Sequence, residues 1–291
     1  MRFDTSEEWK WDVPVDHQRP IPFPKHCRLP LPDQEHYSEL YDLTTDLTEE
    51  EKRSPYAKYY YMGQAMPDKN DLAQVEFDTL MDPAKAFLVE DYAANMDVPG
   101  CCPIRNGYCV LPSGIAFATA TTTYEGVTAE VMANFIENFN PPGDLYYKVW
   151  CPGAHVRHGM GYALEDTGTG MSLIRFTEGL DAEKVGLKVG SKDRECIGLT
   201  GANTFCRPLH NPDGEPLYVT ELCYYRLVGN AYEERVTFWI GAEFKDGKTL
   251  PRLLHGKAVD AVFAQSLARH SLWETTTLMR IAVEFWKDYN E

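Results

Sequence analysis

The sequence predicts an α+β fold in which a curved antiparallel sheet surrounds a long C-terminal helix. Near the C-terminus, apolar residues recur every three or four positions, which is the spacing of one buried helix face. Between residues 107 and 244, strand-like segments alternate with turns that carry Gly, Asn or Asp. The sequence contains no internal repeat and no Rossmann signature that would favour a parallel sheet.

The elements can be predicted in order along the chain. YCVLP and IAFATATTT flank Pro112–Ser113–Gly114, which predicts two strands around a tight turn. An apolar stripe over residues 131–139 predicts a helix with Thr128 as its N-cap. Further strands are predicted at residues 145–150, 161–165, 172–176, 217–227 and 235–244. The G-x-G within residues 166–170 lacks a strand–helix context and is interpreted as a hairpin turn.

The chain has 291 residues, enough for one large or two modest domains. Its first 55 or so residues are polar and punctuated by prolines, which is typical of extended, irregular structure that wraps a core. Trp9, Trp11 and the Tyr59–Tyr60–Tyr61 run are expected to hold this segment in place or to face a partner subunit. We predict an N-terminal extension or small subdomain at residues 1–95 and a catalytic domain at residues 96–291.

Charge and composition exclude several classes of function. The net charge of −16 argues against nucleic acid and against an anionic membrane surface as partners. No apolar run approaches the ~20 residues of a membrane span, and the N-terminus lacks the apolar core of a signal peptide. We therefore expect a cytoplasmic protein whose eight cysteines are reduced. Without a C-x-x-C pair, a cysteine zinc site is not expected.

The predicted C-terminal helix carries two polar residues within its apolar stripe. His270 and Glu274 lie one turn apart, so a core carboxylate would need a partner or a cation. Imidazole and carboxylate together suit a divalent metal such as zinc. A His–Glu hydrogen bond at the rim of the core is the alternative. The stripe consists of Phe263, Leu267, His270, Glu274, Leu278, Ile281 and Phe285.

Further metal ligands would have to come from the sheet. His155 and His158 follow the segment LYYKVW, at a predicted sheet rim, and Glu165 ends the predicted strand GYALE. Glu165 shares a strand face with Ala163, which leaves room for a ligand or an ion. Each of these side chains could instead be solvated, as loop histidines and a glutamate before a turn usually are.

Several motifs resemble the 2,4-diacetylphloroglucinol hydrolase family, to which phloretin hydrolase also belongs. They are Tyr147-Lys-Val-Trp-Cys-Pro-Gly-Ala-His155, the Glu165-Asp166 before a glycine turn, Phe238-Trp239-Ile240-Gly241 and His270-x-x-x-Glu274. The segments GYCVLPSG and GVTAEVM are similar too, and the resemblance covers roughly residues 55 to 285.

This resemblance implies a helix-grip, Bet v 1-like domain, usually dimeric, that holds one zinc ion per chain with two histidines and two glutamates. Carried over by motif, the ligands are His155, Glu165, His270 and Glu274. Glu178 is the alternative to Glu165, because the stretch between His155 and Glu165 looks shorter here than in relatives.

The resemblance also implies substrate contacts. Tyr147 matches a tyrosine that hydrogen-bonds substrate oxygens, and His158 falls where a relative carries an asparagine that contacts the acyl group. Relatives place a catalytic histidine on the strand before the Phe-Trp motif, where this chain has Cys223-Tyr224-Tyr225. His210 or Tyr224 could take that role. Phe238 is predicted to contact the substrate as well.

The expected function is zinc-dependent hydrolysis of the aryl–acyl carbon–carbon bond of an acylated phloroglucinol, of the phloretin or acetylphloroglucinol type. The alternatives are a helix-grip carrier of a hydrophobic aromatic ligand and a metal-dependent hydrolase of other bonds, such as esters. The expected partners are a small aromatic ketone and a second copy of the chain.

Overall fold

The computed structural model describes residues 44–76, 80–96, 104–159, 162–166, 171–180, 196–208, 217–228 and 231–290. Residues 1–43, with Trp9 and Trp11, lie outside this part of the chain. The α-helices are α1 Glu49–Arg53, α2 Ala57–Tyr61, α3 Lys69–Glu76, α4 Tyr92–Met96, α5 Ala129–Asn138, α6 Leu145–Lys148 and α7 Ala261–Asn290. The strands are β1 Gly107–Val110, β2 Ala116–Glu125, β3 His155–Gly159, β4 Tyr162–Asp166, β5 Met171–Leu180, β6 Cys196–Pro208, β7 Leu217–Val228, β8 Ala231–Ile240, β9 Ala242–Lys245 and β10 Lys248–Pro251.

Eight strands form one antiparallel sheet in the order β1-β2-β8-β7-β6-β5-β4-β3, and β9 and β10 form a small second sheet. Helices and antiparallel strands together confirm the predicted α+β class. The predicted hairpin at Pro112–Gly114 joins β1 to β2, which pair antiparallel. The helix predicted at residues 131–139 is α5, and the Thr128 hydroxyl accepts a hydrogen bond from the Val131 amide as its cap.

Helix α7 packs across β1, β2 and β8. Ala118 and Ala120 of β2 lie in the same core cluster as Ala264 and Ala268 of α7. Small residues on both partners let the helix approach the sheet closely. The predicted stripe is buried, except that Glu274 and Leu278 are half-buried.

Two strand predictions are wrong. The segment at residues 145–150 contains the helix α6, in which the amides of Tyr147 and Lys148 bond to the Asp144 carbonyl. A short apolar run does not distinguish a strand from a buried helical turn. The predicted strand at residues 235–244 is two strands, because Gly241 adopts a φ of +76° and the chain turns there.

The first three helices pack against the C-terminal half of the chain. Tyr59 of α2 is buried, and its ring makes edge contacts with Phe139 and Phe285. Tyr61 in the same tyrosine run is exposed. The run therefore contributes one core residue, as expected for a segment held against the core.

Candidate metal centre

Three elements bring the predicted ligands together. In the antiparallel pairing of β3 with β4, His155 lies directly opposite Glu165. His270 and Glu274 lie one turn apart on α7, and so on the same face of the helix. The sheet edge and the helix therefore each supply one imidazole and one carboxylate.

The two imidazoles lie close to each other and to both carboxylates. The Nε2 atoms of His155 and His270 are 3.2 Å apart. The Glu165 carboxylate lies 3.6 Å from Nε2 of His155 and 3.7 Å from Nε2 of His270. The Glu274 carboxylate lies 3.8 Å from each of the two nitrogens. Ligands about 2.0–2.2 Å from a tetrahedral zinc ion would be separated by about 3.3–3.6 Å, so these spacings suit one such ion.

The His155 ring is held in a defined orientation. Its Nδ1 lies 3.0 Å from the backbone carbonyl of Tyr147, which accepts a hydrogen bond from the Nδ1–H tautomer. The Tyr147 ring also stacks on the His155 ring, with centroids 3.8 Å apart and planes 11° from parallel. A histidine that donates from Nδ1 presents the lone pair of Nε2, which is the atom that faces the centre.

The electrostatics of the centre favour a cation. Burial lowers the pKa of His155 well below its ordinary value and that of His270 to about 4, so both imidazoles are neutral and could bind a metal. Burial, with the charge of Glu221 next, raises the pKa of Glu165 to about 8. Burial and then Glu165 raise the pKa of Glu274 well above its usual range. Two acids and two neutral imidazoles in one buried cluster are a donor set that a divalent cation would satisfy.

Cys151 is a further candidate ligand. Donor atoms of Cys151, His155 and His270 all lie within 4.8 Å of one another, and all three residues are buried. This group could hold a metal ion. The Cys151 thiol accepts a hydrogen bond from Nε2 of Gln64, and burial raises its pKa well above the ordinary value. Metal ligation would require the thiolate form of Cys151, as it would require the ionised form of the two carboxyl groups.

A cavity adjoins the centre, between the sheet and α7. Its wall combines apolar side chains with ionisable and polar ones. The lining residues are Glu165, Ile174, Val219, Glu221, Phe238, Leu267, His270, Ser271 and Glu274. A cavity with apolar and polar side chains beside a possible metal centre is a candidate site for a small organic ligand.

The remaining predicted residues lie in different places. Phe238 lines the cavity, and Tyr147 and His158 lie beside the centre, with ring centroids 5.4 Å apart. Tyr224 lies on the opposite face of the sheet, in a cluster with Trp239. His210 falls outside the described residues, and the side chain of Glu178 is likewise not described.

Sequence reasoning missed Cys151 and Glu221. Cys151 lies four residues before His155. Because the sequence contains no C-x-x-C pair, no cysteine was predicted to bind a metal. Glu221 shares a strand face with Val219 and Cys223, because alternate residues of a strand point the same way. That alternation was readable in the sequence and could have identified Glu221.

No helix in the part of the chain that the structure describes is both long and apolar enough to cross a membrane.

Comparison with known proteins identifies the family. No curated protein matches the chain. The family model of the DAPG hydrolase PhiG domain, however, matches residues 89–287, which is more than half of the sequence and includes every part of the metal centre. A hydrolase that acts on a small molecule agrees with a cavity beside a group of buried metal-ligand side chains. The chain belongs to the DAPG hydrolase family.

Proposed function

We propose that this hydrolase is zinc-dependent and cleaves the bond between the aromatic ring and the acyl carbon of an acylated phloroglucinol. The proposal rests on one observation: two imidazole nitrogens lie 3.2 Å apart, each lies 3.6–3.8 Å from two carboxylates, and a cavity adjoins this group. Membership of the DAPG hydrolase family supports the substrate class.

One zinc ion per chain would be held by His155, Glu165, His270 and Glu274. When bound, zinc polarises an oxygen ligand and lowers the pKa of bound water toward about 7. The position of α7 across the sheet supports a Bet v 1-like helix-grip arrangement, in which the cavity lies between sheet and helix. A homodimer and a cytoplasmic location remain predictions.

The reaction follows from the chemistry of the substrate. An aryl carbanion is too poor a leaving group to be expelled directly. If the ring carbon that bears the acyl group takes a proton, the phenolic ring becomes a ketone and the substrate a β-diketone. Water then adds to the acyl carbonyl, and the carbon–carbon bond breaks in the retro-Claisen sense. The products are a carboxylic acid and the enol form of the ring, and one water molecule is consumed for each bond.

Two residues beside the centre are suited to the proton transfers. Partial burial lowers the pKa of His158, so its imidazole is neutral near pH 7 and can take a proton. We assign it to take the proton of a phenolic hydroxyl and to deliver it to the ring carbon that bears the acyl group. Tyr147, fixed by its stacking on His155, would donate a hydrogen bond from its hydroxyl to a substrate oxygen. The apolar side chains of Val219, Phe238 and Leu267 would receive the aromatic ring.

The test combines metal content with products. We expect about one zinc ion per chain, and release of the free phloroglucinol ring from phloretin or from mono- or diacetylphloroglucinol in a chromatographic assay. Glu274→Gln should lower zinc affinity by at least about 100-fold and abolish cleavage. The matched control is Glu284→Gln on the same helix, because Glu284 forms an ion pair with Lys287 at the surface.

Other results would favour the alternative functions. Cleavage of aryl esters with all acylphloroglucinols intact would indicate a metal-dependent hydrolase of other bonds. Tight binding of an aromatic ligand by metal-free protein, with no turnover in the presence of zinc, would indicate a carrier.

A further inference from the structure

The cavity beside the metal centre contains a carboxyl group that the proposed mechanism does not use. Glu221 of β7 lines this cavity together with Glu165 and Glu274. The carboxylates of Glu165 and Glu274 each lie within 3.8 Å of a histidine nitrogen of the centre. Among the described residues, Glu221 makes no such contact with His155 or His270, which leaves its carboxyl group available for another role.

The surroundings of Glu221 are mixed, because the cavity wall carries Glu165, His270 and Glu274 as well as apolar side chains. Phe238 lies directly opposite it on β8, and Val219, Ile174 and Leu267 form the neighbouring wall. A carboxyl group in such a wall loses solvation, and hydrogen bonds must compensate for the loss. No lysine or arginine is among the described residues that line the cavity.

Few hydrogen bonds reach Glu221 from the residues that the structure describes. Within the described part of the chain, its one hydrogen-bond partner is the Cys223 thiol, which donates to Oε1 at 3.4 Å. A thiol is a weak donor, and a carboxyl group has several further hydrogen-bonding positions. Burial raises the pKa of Glu221, against the hydrogen bond from the Cys223 thiol. A ligand hydroxyl in the cavity would supply the missing hydrogen bond.

We infer that Glu221 binds a ring hydroxyl of the aromatic substrate and so selects hydroxylated rings over rings that lack hydroxyls. This inference rests on the proposed function, since it concerns the same cavity. A phenolic hydroxyl can donate to a carboxylate and can also pair with a carboxylic acid, so the contact does not depend on one protonation state. Sites built to hydrogen-bond a substrate hydroxyl discriminate strongly against analogues that lack it.

Binding of two symmetric rings by the zinc-loaded protein tests the inference. Phloroglucinol carries three hydroxyls, and 1,3,5-trifluorobenzene has fluorine in their place. Because both rings are symmetric, each presents the same substituent to Glu221 in all its equivalent orientations. Calorimetry or competition should show that the wild-type protein prefers phloroglucinol by about 10-fold or more, the amount typical of a hydrogen bond to a charged group. Glu221→Leu should reduce this preference by about 10-fold, and Glu221→Gln should retain most of it.

Controls separate this inference from the proposed function. Leucine has a volume similar to that of glutamate, so Glu221→Leu should fold, which thermal melting checks. Glu243→Gln, which affects a surface ion pair with Arg252, should bind like the wild type. An unchanged preference in Glu221→Leu, or no preference in the wild type, overturns the inference even if acylphloroglucinols are cleaved. Glu221→Leu could lose the preference while the wild-type protein cleaves no acylphloroglucinol. That result would contradict the proposed function but support the role of Glu221 in binding a ring hydroxyl.

Discussion

Cys151 and Glu165 are two buried side chains whose importance for metal binding should differ sharply. The Glu165 carboxylate lies 3.6 and 3.7 Å from the two histidine nitrogens, whereas the Cys151 thiol accepts a hydrogen bond from Gln64. We predict that Glu165→Gln lowers zinc affinity by at least about 100-fold and that Cys151→Ser changes it by less than about threefold. Zinc content after dialysis against a graded chelator measures both. Loss of zinc in Cys151→Ser would assign the thiol, rather than a carboxylate, to the metal.

Glu234 should make the metal-free protein less stable as the pH rises toward about 8. Its side chain is buried, and one carboxylate oxygen has no hydrogen-bond partner among the described residues. Burial raises its pKa from 4.5 to about 8, against a hydrogen bond with Tyr225, and the charge of Glu221 adds to the rise. Between these pH values the folded state holds a proton that the unfolded state releases. Stability therefore falls as pH rises from about 4.5 to about 8.

The variant Glu234→Gln tests this pH dependence in chelator-treated protein. Relative to the wild type, the variant should gain free energy of unfolding as pH rises, by on the order of a few kcal/mol at pH 8. Urea unfolding at pH 5 and pH 8 provides the measurement. The surface variant Glu243→Gln should parallel the wild type at both values. If the wild type and Glu234→Gln also run parallel, Glu234 is ionised in the folded protein and the assignment is wrong.

The predictability of the site differs from residue to residue. The proximity of His270 and Glu274 follows from helical spacing alone, since residues four apart share a face. The pairing of His155 with Glu165 depends on strand register, where a slip of one residue turns a side chain to the other face. Tyr224 is predicted from its place in the family motif, which carries no information about strand register. Both Tyr224 and Glu221 lie on β7, but only Glu221 faces the cavity.

At the scale of elements, the turn between β8 and β9 depends on a glycine. Gly241 has a φ of +76°, and a Cβ added there would lie 2.7 Å from Val259 and 3.0 Å from Leu253. Gly247 has a similar φ of +74° with nothing within 4 Å of an added Cβ. We predict that Gly247→Ala lowers the free energy of unfolding by about 1 kcal/mol and that Gly241→Ala lowers it by roughly 2 kcal/mol more.

Urea unfolding of the two glycine variants isolates the effect of packing, because the backbone penalty is common to both. Equal losses in Gly241→Ala and Gly247→Ala would mean that Val259 and Leu253 move aside at no cost. In that case the close approach of this turn to the chain before α7 would not contribute to stability.

Elements with strong local signals were predicted well from the sequence. The hairpin at Pro112–Gly114, the capped helix α5 and the long helix α7 each combine a clear hydrophobic period with turn or cap residues. The short helix α6 lacks such a period, since it has only one turn. Its conformation depends instead on tertiary contacts of Lys148 and Tyr147, which no local pattern encodes.

At the scale of the whole molecule, the N-terminal segment forms hydrogen bonds with the helix and the loop that carry the proposed metal ligands. Residues 44–88 precede the segment that the family model matches, yet they contact the C-terminal half directly. The Ala65 amide donates to the Thr277 hydroxyl on α7, and Gln64 donates to the Pro152 carbonyl in the loop before His155. We therefore expect residues 44–88 to be needed for a stable centre, although they supply none of its proposed ligands.

The buried ion pair between Lys148 and Glu51 tests this coupling. Nζ of Lys148 lies 3.0 Å from the Glu51 carboxylate and 2.9 Å from the Asp46 carbonyl, so it joins α1 to the helix that precedes the metal-centre loop. Lys148→Met should cost about 3–5 kcal/mol, because it leaves the Glu51 charge buried without a partner. The double variant Lys148→Met/Glu51→Gln should recover most of that loss, since glutamine is neutral and can still accept the hydrogen bond from the Thr48 amide. Chemical denaturation of both variants provides the free energies, with Lys52→Met, at a surface ion pair, as the control. A double variant as unstable as Lys148→Met alone would mean that the packing of the lysine stem, and not its charge, joins the two halves.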